Sequence, residues 1–384
     1  MRINFVFLFC LLSCYSIAQE IKITHGPYIQ NIGEHEATIV WTTDNDAISW
    51  MELAPAGDDS FYAKERTQYF QTKNGNRVVG KLHTITIPEL ERGTEYRYRI
   101  FSRAVMVDKL TYGDVASTNV YGKKPLRFTT LDHRKPDISF VIINDIHGRN
   151  DDLTALSRNV KYGATDLMIF NGDMADYMND EQQFFSAFMD KSVELFAAEV
   201  PVFYARGNHE TRGLFNWSFS DYFPTNSGKP YYSFRHGPVH FIVLDSGEDK
   251  PDSDIEYYGL AQFDAYRTEE QKWLKKELQS ESFRTAPYKV VIMHIPPLEP
   301  GWHGALDIRR KFLPLLNNVG ITIMFCGDTH RYQYVEPNAG LHDFPILINA
   351  HNTSLEVKAT KNEMSIKRKD TSGKEINDFV IQGM

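Results

Sequence analysis

The sequence predicts two folded domains, an all-β sandwich followed by an α/β domain in which strands alternate with helices. Its 384 residues exceed what one hydrophobic core commonly supports. Residues 21–130 contain short segments rich in β-branched and aromatic residues, separated by turn-forming residues, as in all-β domains. From residue 138 onward, apolar runs alternate with segments whose apolar residues recur every three or four positions, which indicates helices packed on a layered sheet structure.

The N-terminal domain is predicted to span residues 21–130, close to the roughly 100 residues of a common β-sandwich. Tyr96, Tyr98 and Ile100 alternate along one segment, so that a single face points inward. The charged, proline-containing segment 131–137 is the predicted linker to the second domain. The predicted strands are 37–43, 49–53, 82–90, 95–101 and 126–130.

The segment "IPELERGTEYRYRIF" (87–101) resembles the strand-turn-strand signature of fibronectin type III domains. In that signature a buried leucine precedes the turn and a tyrosine begins the next strand. Trp41 fits the core tryptophan that the resemblance implies. We therefore expect one fibronectin type III-like domain in this part of the chain.

The α/β domain is predicted to span residues 138–355, with a short β-rich tail at 356–384. Its strands read as nearly continuous apolar runs, which fit strands that are buried on both faces. The predicted strands are 138–144, 166–170, 202–206, 240–245, 288–294 and 321–326, and the predicted helices lie in 152–162, 181–198, 269–280 and 308–318.

The N-terminal stretch predicts export. One arginine precedes an apolar run too short to span a bilayer, which needs roughly 20 residues. The run ends in a small-x-small pattern at Ser16–Ala18, which indicates a signal peptide at 1–18 and a periplasmic, secreted or cell-surface protein. Alternatively, Cys14 is lipidated and anchors a lipoprotein. After cleavage only Cys326 remains, so no internal disulfide can form.

Charge and hydropathy narrow the classes of partner. The formal charge is −8, and the chain has no block of basic residues that would track a nucleic-acid backbone. A nucleic-acid polymer is therefore disfavoured as a partner, whereas a small phosphorylated molecule held by metal ions is compatible with this charge. Beyond the N-terminal stretch, no segment is long and apolar enough to serve as a transmembrane segment.

Polar residues follow five of the predicted strands of the α/β domain. Because ligand sites in open α/β sheets lie beyond the carboxyl ends of strands, we expect these side chains to meet at one edge. Carboxylate oxygens and imidazole nitrogens are ligands that Mn, Fe and Zn accept, and the inventory is large enough for two metal ions. The residues are Asp145, His147, Asp173, Asn208, His209, His294, Asp328 and His330.

Each of these residues also has an interpretation without metal. The sequence "GNH" is a good turn, and a single aspartate after a strand commonly caps a helix. His294, taken alone, fits a hydrogen-bonded, partly buried histidine better than a metal ligand. The ordered set is what favours a metal site, because independent turns rarely supply these residue types in this order.

The ordered motifs D-x-H, G-D-x-x-D, G-N-H-E, a strand-end histidine and G-x-x-H resemble the calcineurin-like metallophosphoesterase superfamily. The resemblance covers about 138–352, and the preceding β-sandwich is similar to the architecture of purple acid phosphatases. It implies a metallophosphoesterase-type β-sandwich flanked by helices. It further implies that Asp145, His147 and His330 bind the first metal, that Asp173 bridges both metals, that Asn208 and His294 bind the second, and that His209 contacts the substrate as a catalytic residue.

Two departures from the family pattern bear on the metals. The last motif of the family is G-H-x-H, and Asp328 stands where its first histidine would bind the second metal. Asp328 either ligates directly, ligates through water, leaves the second site weak, or only caps the turn. Purple acid phosphatases carry Gly and Tyr where this chain has His147 and Asp176, and Tyr177 is one residue out of register. An iron-tyrosinate colour is therefore not expected.

Three further residues are candidate substrate contacts. Arg149 and Arg212 follow two ligand motifs and would pair with phosphate oxygens, although surface salt bridges are an equal alternative. His303 lies within reach, along the sequence, of the loop after His294. The aromatic segment 214–237 either packs in the core or stacks on a leaving group.

The sequence therefore predicts an exported phosphoesterase that uses a dinuclear metal-activated water to hydrolyse small phosphate monoesters. The metals implied are two divalent or trivalent ions of Mn, Fe or Zn. A phosphodiesterase or nucleotidase of the same superfamily is the alternative within the class. A non-catalytic surface binding protein with a degenerate second metal site is the alternative outside it.

Overall fold

The computed structural model describes residues 21–105 and 124–383. The predicted signal peptide at 1–18, with Cys14, lies outside the described residues. Within them, no helix has the length and apolar character to span a bilayer. The strands are β1 Ile23–Gln30, β2 Ala37–Pro55, β3 Gln68–Phe70, β4 Thr72–Lys73, β5 Asn76–Arg77, β6 Val79–Ile87, β7 Glu95–Ala104, β8 Leu126–Thr129, β9 Ile138–Ile143, β10 Leu167–Asn171, β11 Val202–Ala205, β12 Tyr232–His236, β13 Val239–Val243, β14 Tyr288–Ile292, β15 Ile323–Cys326, β16 Gln333–Val335, β17 Ile346–Ile348, β18 Thr353–Ala359, β19 Glu363–Asp370 and β20 Glu375–Gln382.

Helices lie only beyond the N-terminal strands in the described part of the chain. The α-helices are α1 Asn150–Ser157, α2 Glu181–Phe184, α3 Asp190–Ser192, α4 Phe219–Tyr222, α5 Phe263–Glu277, α6 Glu281–Thr285, α7 His303–Lys311 and α8 Leu313–Leu316. A π-helical turn at Phe185–Met189 joins α2 to α3, and a second at Val193–Ala197 continues α3, so that residues 181–197 form one helical stretch. Short 3₁₀ turns occur at Tyr162–Ala164, His209–Thr211, Leu214–Ser218 and Ile255–Tyr257.

The N-terminal domain is built around β2, which pairs with four of the other five strands of its six-stranded sheet. The first part of β2 pairs with β1 and β6, and the second part pairs with β3 and β7. The two strands predicted at 37–43 and 49–53 are therefore one continuous strand. The polar residues between them stay extended instead of forming a turn, and the register of β2 with β6 shifts between Thr42 and Ala47, as at a β-bulge.

The side chains that the fibronectin-like signature singled out lie in or beside the core of this domain. Trp41 and Tyr98 are fully buried, and Leu90 is nearly so. The Tyr96 hydroxyl accepts a hydrogen bond from the Glu91 backbone N–H (2.9 Å), five residues upstream. This contact fixes the turn before β7 in the manner of the tyrosine corner of β-sandwiches.

Two six-stranded sheets form the centre of the α/β domain. The first has the order β11-β10-β9-β18-β19-β20, and the second has the order β12-β13-β14-β15-β17-β16. Strands β9, β10 and β11 are parallel to one another, as are β13, β14, β15 and β17. The predicted domain boundary after residue 355 falls inside β18, which pairs with β9, so the tail strands β19 and β20 extend the first sheet.

The predicted layered α/β class is confirmed. The inner faces of the two sheets pack against each other, with Phe140 of one sheet edge-to-face on Phe241 of the other at 5.1 Å between ring centroids. The outer face of the first sheet packs against α1 and the helical stretch 181–197, and that of the second against α5 to α8. Continuous apolar runs are explained by this arrangement, because each central strand is buried on both faces.

The N-terminal domain is joined to the α/β domain by buried contacts. The Tyr28 hydroxyl donates to the Tyr222 carbonyl (3.0 Å), and the Tyr98 hydroxyl donates to the Ala198 carbonyl (2.6 Å). The Gln30 side chain donates a hydrogen bond to the carbonyl of Val202, the first residue of β11 (3.0 Å). The N-terminal domain therefore contacts the α/β domain at β11, one of the strands that lead into the predicted site, and at two positions outside the sheets.

Phe140→Ala tests the packing between the two sheets. Phe140 is fully buried, so its truncation should lower the free energy of unfolding by about 3–5 kcal/mol. Equilibrium denaturation followed by far-UV circular dichroism measures the loss. Val79→Ala, at a position 47% exposed, is the matched control and should stay within about 0.5 kcal/mol of wild type. An equal effect of both substitutions would contradict the assigned core.

Candidate metal centre

Eight predicted site residues follow the carboxyl ends of strands from both sheets. Strands β9, β10 and β11 of the first sheet lead into the motifs that begin at Asp145, Asp173 and Asn208. Strands β14 and β15 of the second sheet lead into His294 and Asp328. The two sheets thus deliver these groups to one shared edge, which is where ligand sites form in α/β folds.

The backbone at this edge is held in an unusual conformation. Asp145, His147, Asp173, Asp328 and His330 all have φ between 50° and 70°. These five make up half of the non-glycine residues with positive φ in the described part of the chain. Since left-handed backbone disfavours residues with a Cβ, such a concentration is typical of functional sites, where surrounding contacts hold the strained geometry.

Two glycines allow these loops to approach one another. A Cβ on Gly172, which has φ +83°, would collide with the His294 ring, and a Cβ on Gly207 would collide with the Asp173 carboxylate. The glycines of the G-D and G-N motifs are therefore required by the packing of neighbouring ligand residues, not by turn conformation alone.

The first group of candidate ligands consists of Asp145, His147 and His330. His330 Nε2 lies 3.3 Å from Asp145 Oδ1, and His147 Nε2 lies 3.9 Å from the same oxygen. The two histidine Nε2 atoms are 3.1 Å apart. Their ligand atoms fall within one sphere that could hold a metal ion.

The second group centres on Asp173 and His294. His294 Nε2 lies 3.1 Å from Asp173 Oδ2, 3.9 Å from Asp145 Oδ1 and 3.8 Å from Asp328 Oδ1. Asp173 Oδ2 also lies 3.8 Å from His147 Nε2, so this carboxylate faces both groups. Its position is the one that a bridging ligand would occupy.

Several buried polar atoms at the site lack a hydrogen-bond partner among the described residues. They are Asp145 Oδ1, Asn208 Oδ1, His294 Nε2 and Asp328 Oδ2. A buried polar atom without a partner costs free energy, and bound cations would satisfy ligand atoms of this kind. The residues present therefore fit the metal ions that the sequence resemblance implies.

Hydrogen bonds orient the histidines for metal binding. His294 Nδ1 lies 2.7 Å from the Asn171 carbonyl, and since a carbonyl only accepts, Nδ1 carries the proton and Nε2 is free to ligate. His147 Nδ1 lies 2.8 Å from the Asp176 carboxylate, which fixes the same tautomer and makes the imidazole a better donor to metal. Asp176 and His147 are the two residues that differ from the purple acid phosphatase pattern, and Asp176 supports His147 through this hydrogen bond.

The buried carboxylate of Glu210 joins the G-D and G-N loops. Its Oε2 accepts from the backbone N–H groups of Asp173 and Gly207 (both 2.9 Å). Its Oε1 accepts from Met174 (2.7 Å) and Ala175 (3.1 Å). Burial raises the pKa of Glu210, as does the nearby Asp173 charge, while the backbone donors favour the carboxylate form.

Charges at the site are strongly coupled. Burial would lower the pKa of His294, but Asp173, Asp145 and Asp328 raise it well above its ordinary value. Burial raises the pKa of Asp328 to about 7, although His294 opposes the shift. A proton on His294 Nε2 and a metal ion would compete for the same lone pair, so metal binding at this position releases a proton.

The candidate catalytic residue His209 lies beside the metal groups. Its Nδ1 donates to the Asp176 carbonyl (3.0 Å), and its Nε2 lies 3.8 Å from Asp173 Oδ2 and 3.1 Å from Arg212 Nη1. Arg212 is in turn held by two hydrogen bonds to the Glu248 carboxylate, at 2.9 and 3.1 Å. His209 is therefore oriented toward the metal groups with a guanidinium next to it.

The other two predicted substrate contacts, Arg149 and His303, are engaged by other groups. Arg149 donates to the Asp145 carbonyl (2.6 Å) and to Asp152 (2.8 Å), so its contacts support a ligand loop. His303 begins α7, and its Nε2 contacts both carboxylate oxygens of Asp264 on α5 at 2.8 and 3.0 Å. The position of His303 depends on how α7 packs against α5, and its proximity to His294 along the sequence does not determine that packing.

Sequence reasoning gave no role to four residues that the structure places around the site. These residues are Asn171, Asp176, Glu210 and Glu248. Glu210 was visible as the last residue of G-N-H-E, and Asp176 as the last of G-D-x-x-D. Their contacts depend on the distance between loops, which the motif spacing does not give.

Asp176→Asn tests the support of His147. Loss of the carboxylate should weaken metal binding by about 10- to 100-fold, because an outer hydrogen bond to a metal-ligating histidine fixes its orientation and basicity. Competition with a chromophoric chelator measures the affinity. Asp378→Asn, on an exposed position of β20, is the control and should bind as wild type does. Equal affinities of wild type and Asp176→Asn would contradict the role of Asp176.

Comparisons with known proteins agree with this geometry. The family model described as calcineurin-like phosphoesterase matches residues 138–332. Purple acid phosphatase 23 of Arabidopsis thaliana is 25% identical over 350 residues, covering 77% of this chain and 70% of the relative. Acid phosphatase type 7 of Mus musculus is 24% identical over 334 residues, with 78% and 68% covered.

The name of a third relative specifies two metal ions. The Fe(3+)-Zn(2+) purple acid phosphatase 12 of Arabidopsis thaliana is 24% identical over 354 residues, covering 83% of this chain and 65% of the relative. Since the family model matches half of the chain, and the fold and the ligand groups agree with it, the chain belongs to the calcineurin-like phosphoesterase family and is a metal-dependent phosphoesterase.

Proposed function

We propose that this protein is an exported phosphatase that hydrolyses small phosphate monoesters with two metal ions. The observation that carries the proposal is the convergence of carboxylates, histidines and an asparagine from five strand ends, with buried ligand atoms that lack hydrogen-bond partners. The acid phosphatases among the relatives support a monoester substrate. The N-terminal apolar stretch, with its cleavage pattern, supports export.

In this proposal the ligands keep the roles that the family resemblance implies. Asp145, His147 and His330 hold the first metal, Asp173 bridges, and Asn208, His294 and Asp328 hold the second. When bound, two metal ions supply positive charge to the phosphoryl group and lower the pKa of water. The distances of Asp173 Oδ2 to His294 (3.1 Å) and His147 (3.8 Å) support its bridging role. Asp328, 3.8 Å from His294, is close enough to ligate directly or through water.

His209 is the proposed acid for the leaving group. Its Nδ1 proton is engaged by the Asp176 carbonyl, so Nε2 is the atom that faces the site. A proton held at Nε2 would pass to the leaving oxygen as the ester bond breaks, a contribution of about 100- to 10,000-fold for general acids. Arg212, 3.1 Å from Nε2, is placed to donate hydrogen bonds to the phosphate oxygens once the substrate separates the two side chains.

We also propose that the N-terminal domain is fibronectin type III-like and that its main task is to brace the catalytic domain. The tyrosine-corner hydrogen bond of Tyr96 supports the first statement. The buried contacts of Tyr28 and Tyr98 with the α/β domain support the second.

Asp173→Asn tests the phosphatase function. The metal-loaded wild type should hydrolyse an aryl phosphate faster than an aryl phosphodiester, and Asp173→Asn should lose about 100-fold or more in turnover because the shared ligand is weakened. Steady-state assays with Mn, Fe or Zn, together with metal analysis, provide the measurement. A wild type with fewer than two metals per chain and no turnover of either substrate would overturn the proposal. A preference for the diester would transfer it to the phosphodiesterase alternative.

Asp328→His tests whether the aspartate occupies a ligand position. Histidine restores the residue of the family motif. Affinity for the second metal should therefore rise, because the imidazole nitrogen extends further from the backbone than the aspartate oxygens do. Titration of metal into protein that already holds one ion measures this affinity. If Asp328 only caps the turn, Asp328→His and Asp328→Ala should bind the second metal equally, and the assignment would be wrong.

A further inference from the structure

Exposed apolar side chains of the described residues are concentrated beside the candidate metal centre. Twelve large apolar side chains are exposed, and five of them line a single cavity. Scattered apolar residues are normal on a surface, whereas a cluster next to a site marks a binding surface. The five are Tyr177, Leu214, Trp217, Tyr258 and Leu260.

The cavity has a volume of about 600 Å³, within the range of small-molecule sites. It adjoins His209, since the Tyr177 ring lies 6.4 Å from the His209 ring. Arg212, which lines the cavity, contacts His209 Nε2. A group that enters this cavity would lie on the side of His209, where the leaving group of the proposed reaction departs.

Trp217 differs from its aromatic neighbours in the same segment. Phe219, Tyr222 and Phe223 are buried against the helical layer of the first sheet. Trp217 is 70% exposed. Tyr258, which lines the same cavity from another segment of the chain, is 88% exposed. Core packing therefore accounts for the three buried neighbours, but it does not account for the exposed rings of Trp217 and Tyr258.

The charged groups of the cavity wall are paired with one another or with a neighbour. Arg212 is held by Glu248, and the Glu256 carboxylate pairs with Lys250 at 2.5 Å. Asn179 and Asn216 contribute amides, which both donate and accept hydrogen bonds. The wall thus combines exposed rings, amides and paired charges, which suits a flat, uncharged group that carries polar edges.

We propose that this cavity binds an uncharged aromatic leaving group, with a nucleoside of a nucleoside monophosphate as the substrate class. The base would stack on the rings of Trp217 and Tyr258, and Asn179 would hydrogen-bond to its edge. The inference rests on the proposed phosphatase function. It adds the substrate class, because the metal centre alone accepts any monoester.

Substitution of Trp217 and Tyr258 tests whether the cavity determines substrate specificity. The measured quantity is the ratio of kcat/KM for adenosine 5′-monophosphate to that for glycerol phosphate, with the metal-loaded full chain. Trp217→Ala and Tyr258→Ala should each lower this ratio about 10-fold, mainly through KM, and Trp217→Phe should retain most of it. Tyr62→Ala removes a tyrosine that is 40% exposed in the N-terminal domain and should leave the ratio unchanged.

Two kinetic outcomes would overturn the inference. In the first, both alanine variants keep the wild-type ratio within about twofold. In the second, wild type prefers phosphocholine to adenosine 5′-monophosphate and the alanine variants lose that preference, which would make the rings and carboxylates a cation site.

Adenosine, which has no phosphate, separates this inference from the proposed function. Calorimetry should detect adenosine binding to wild type and about 10-fold weaker binding to Trp217→Ala. If wild type hydrolyses neither ester but shows this difference in adenosine binding, the phosphatase proposal fails and the cavity assignment is supported. If wild type hydrolyses both esters but binds no adenosine, the cavity assignment is overturned and the phosphatase proposal stands.

Discussion

The carboxylate of Glu210 is the interaction on which the metal centre most depends. It accepts four backbone N–H groups from the loops after β10 and β11, and so fixes the position of Asp173 relative to Asn208. A carboxylate buried without partners would cost several kcal/mol, so the loops and Glu210 stabilise each other only when they are assembled together. The close approach at Gly172 and Gly207 is possible under the same constraint.

The electrostatics of the site follow from three carboxylates that are buried close to one another, away from solvent. Asp145, Asp173 and Asp328 lie around one histidine, His294, and their negative charges raise its pKa well above the ordinary value. Burial, together with the charges of Asp173 and Asp145, raises the pKa of Asp328 to about 7. Left-handed backbone at all three aspartates adds strain that their neighbours must hold. Cations bound among these groups would relieve the repulsion and satisfy the ligand atoms that lack hydrogen bonds. Bound metal ions would therefore stabilise the folded form of these loops.

Sequence reasoning located the cluster because strand ends obey a simple rule. Apolar runs identified β9, β10, β11, β14 and β15, and parallel strands deliver their following residues to one edge. It failed for His303, since nearness in sequence to His294 says nothing about which layer a helix joins. It also could not separate Trp217 from Phe219, because both are aromatic residues two positions apart and only the packed helices decide which is buried. The pairing of Asp176 with His147, 29 residues apart, likewise depends on loop geometry.

Two metal ions are proposed to occupy the edge where the two sheets meet. Anomalous X-ray diffraction from crystals of the Mn-loaded protein, recorded on both sides of the Mn absorption edge, measures this directly. We expect two anomalous peaks, one among Asp145, His147 and His330 and one beside Asn208 and His294, with Asp173 between them. A single peak, or none at this edge, would contradict it.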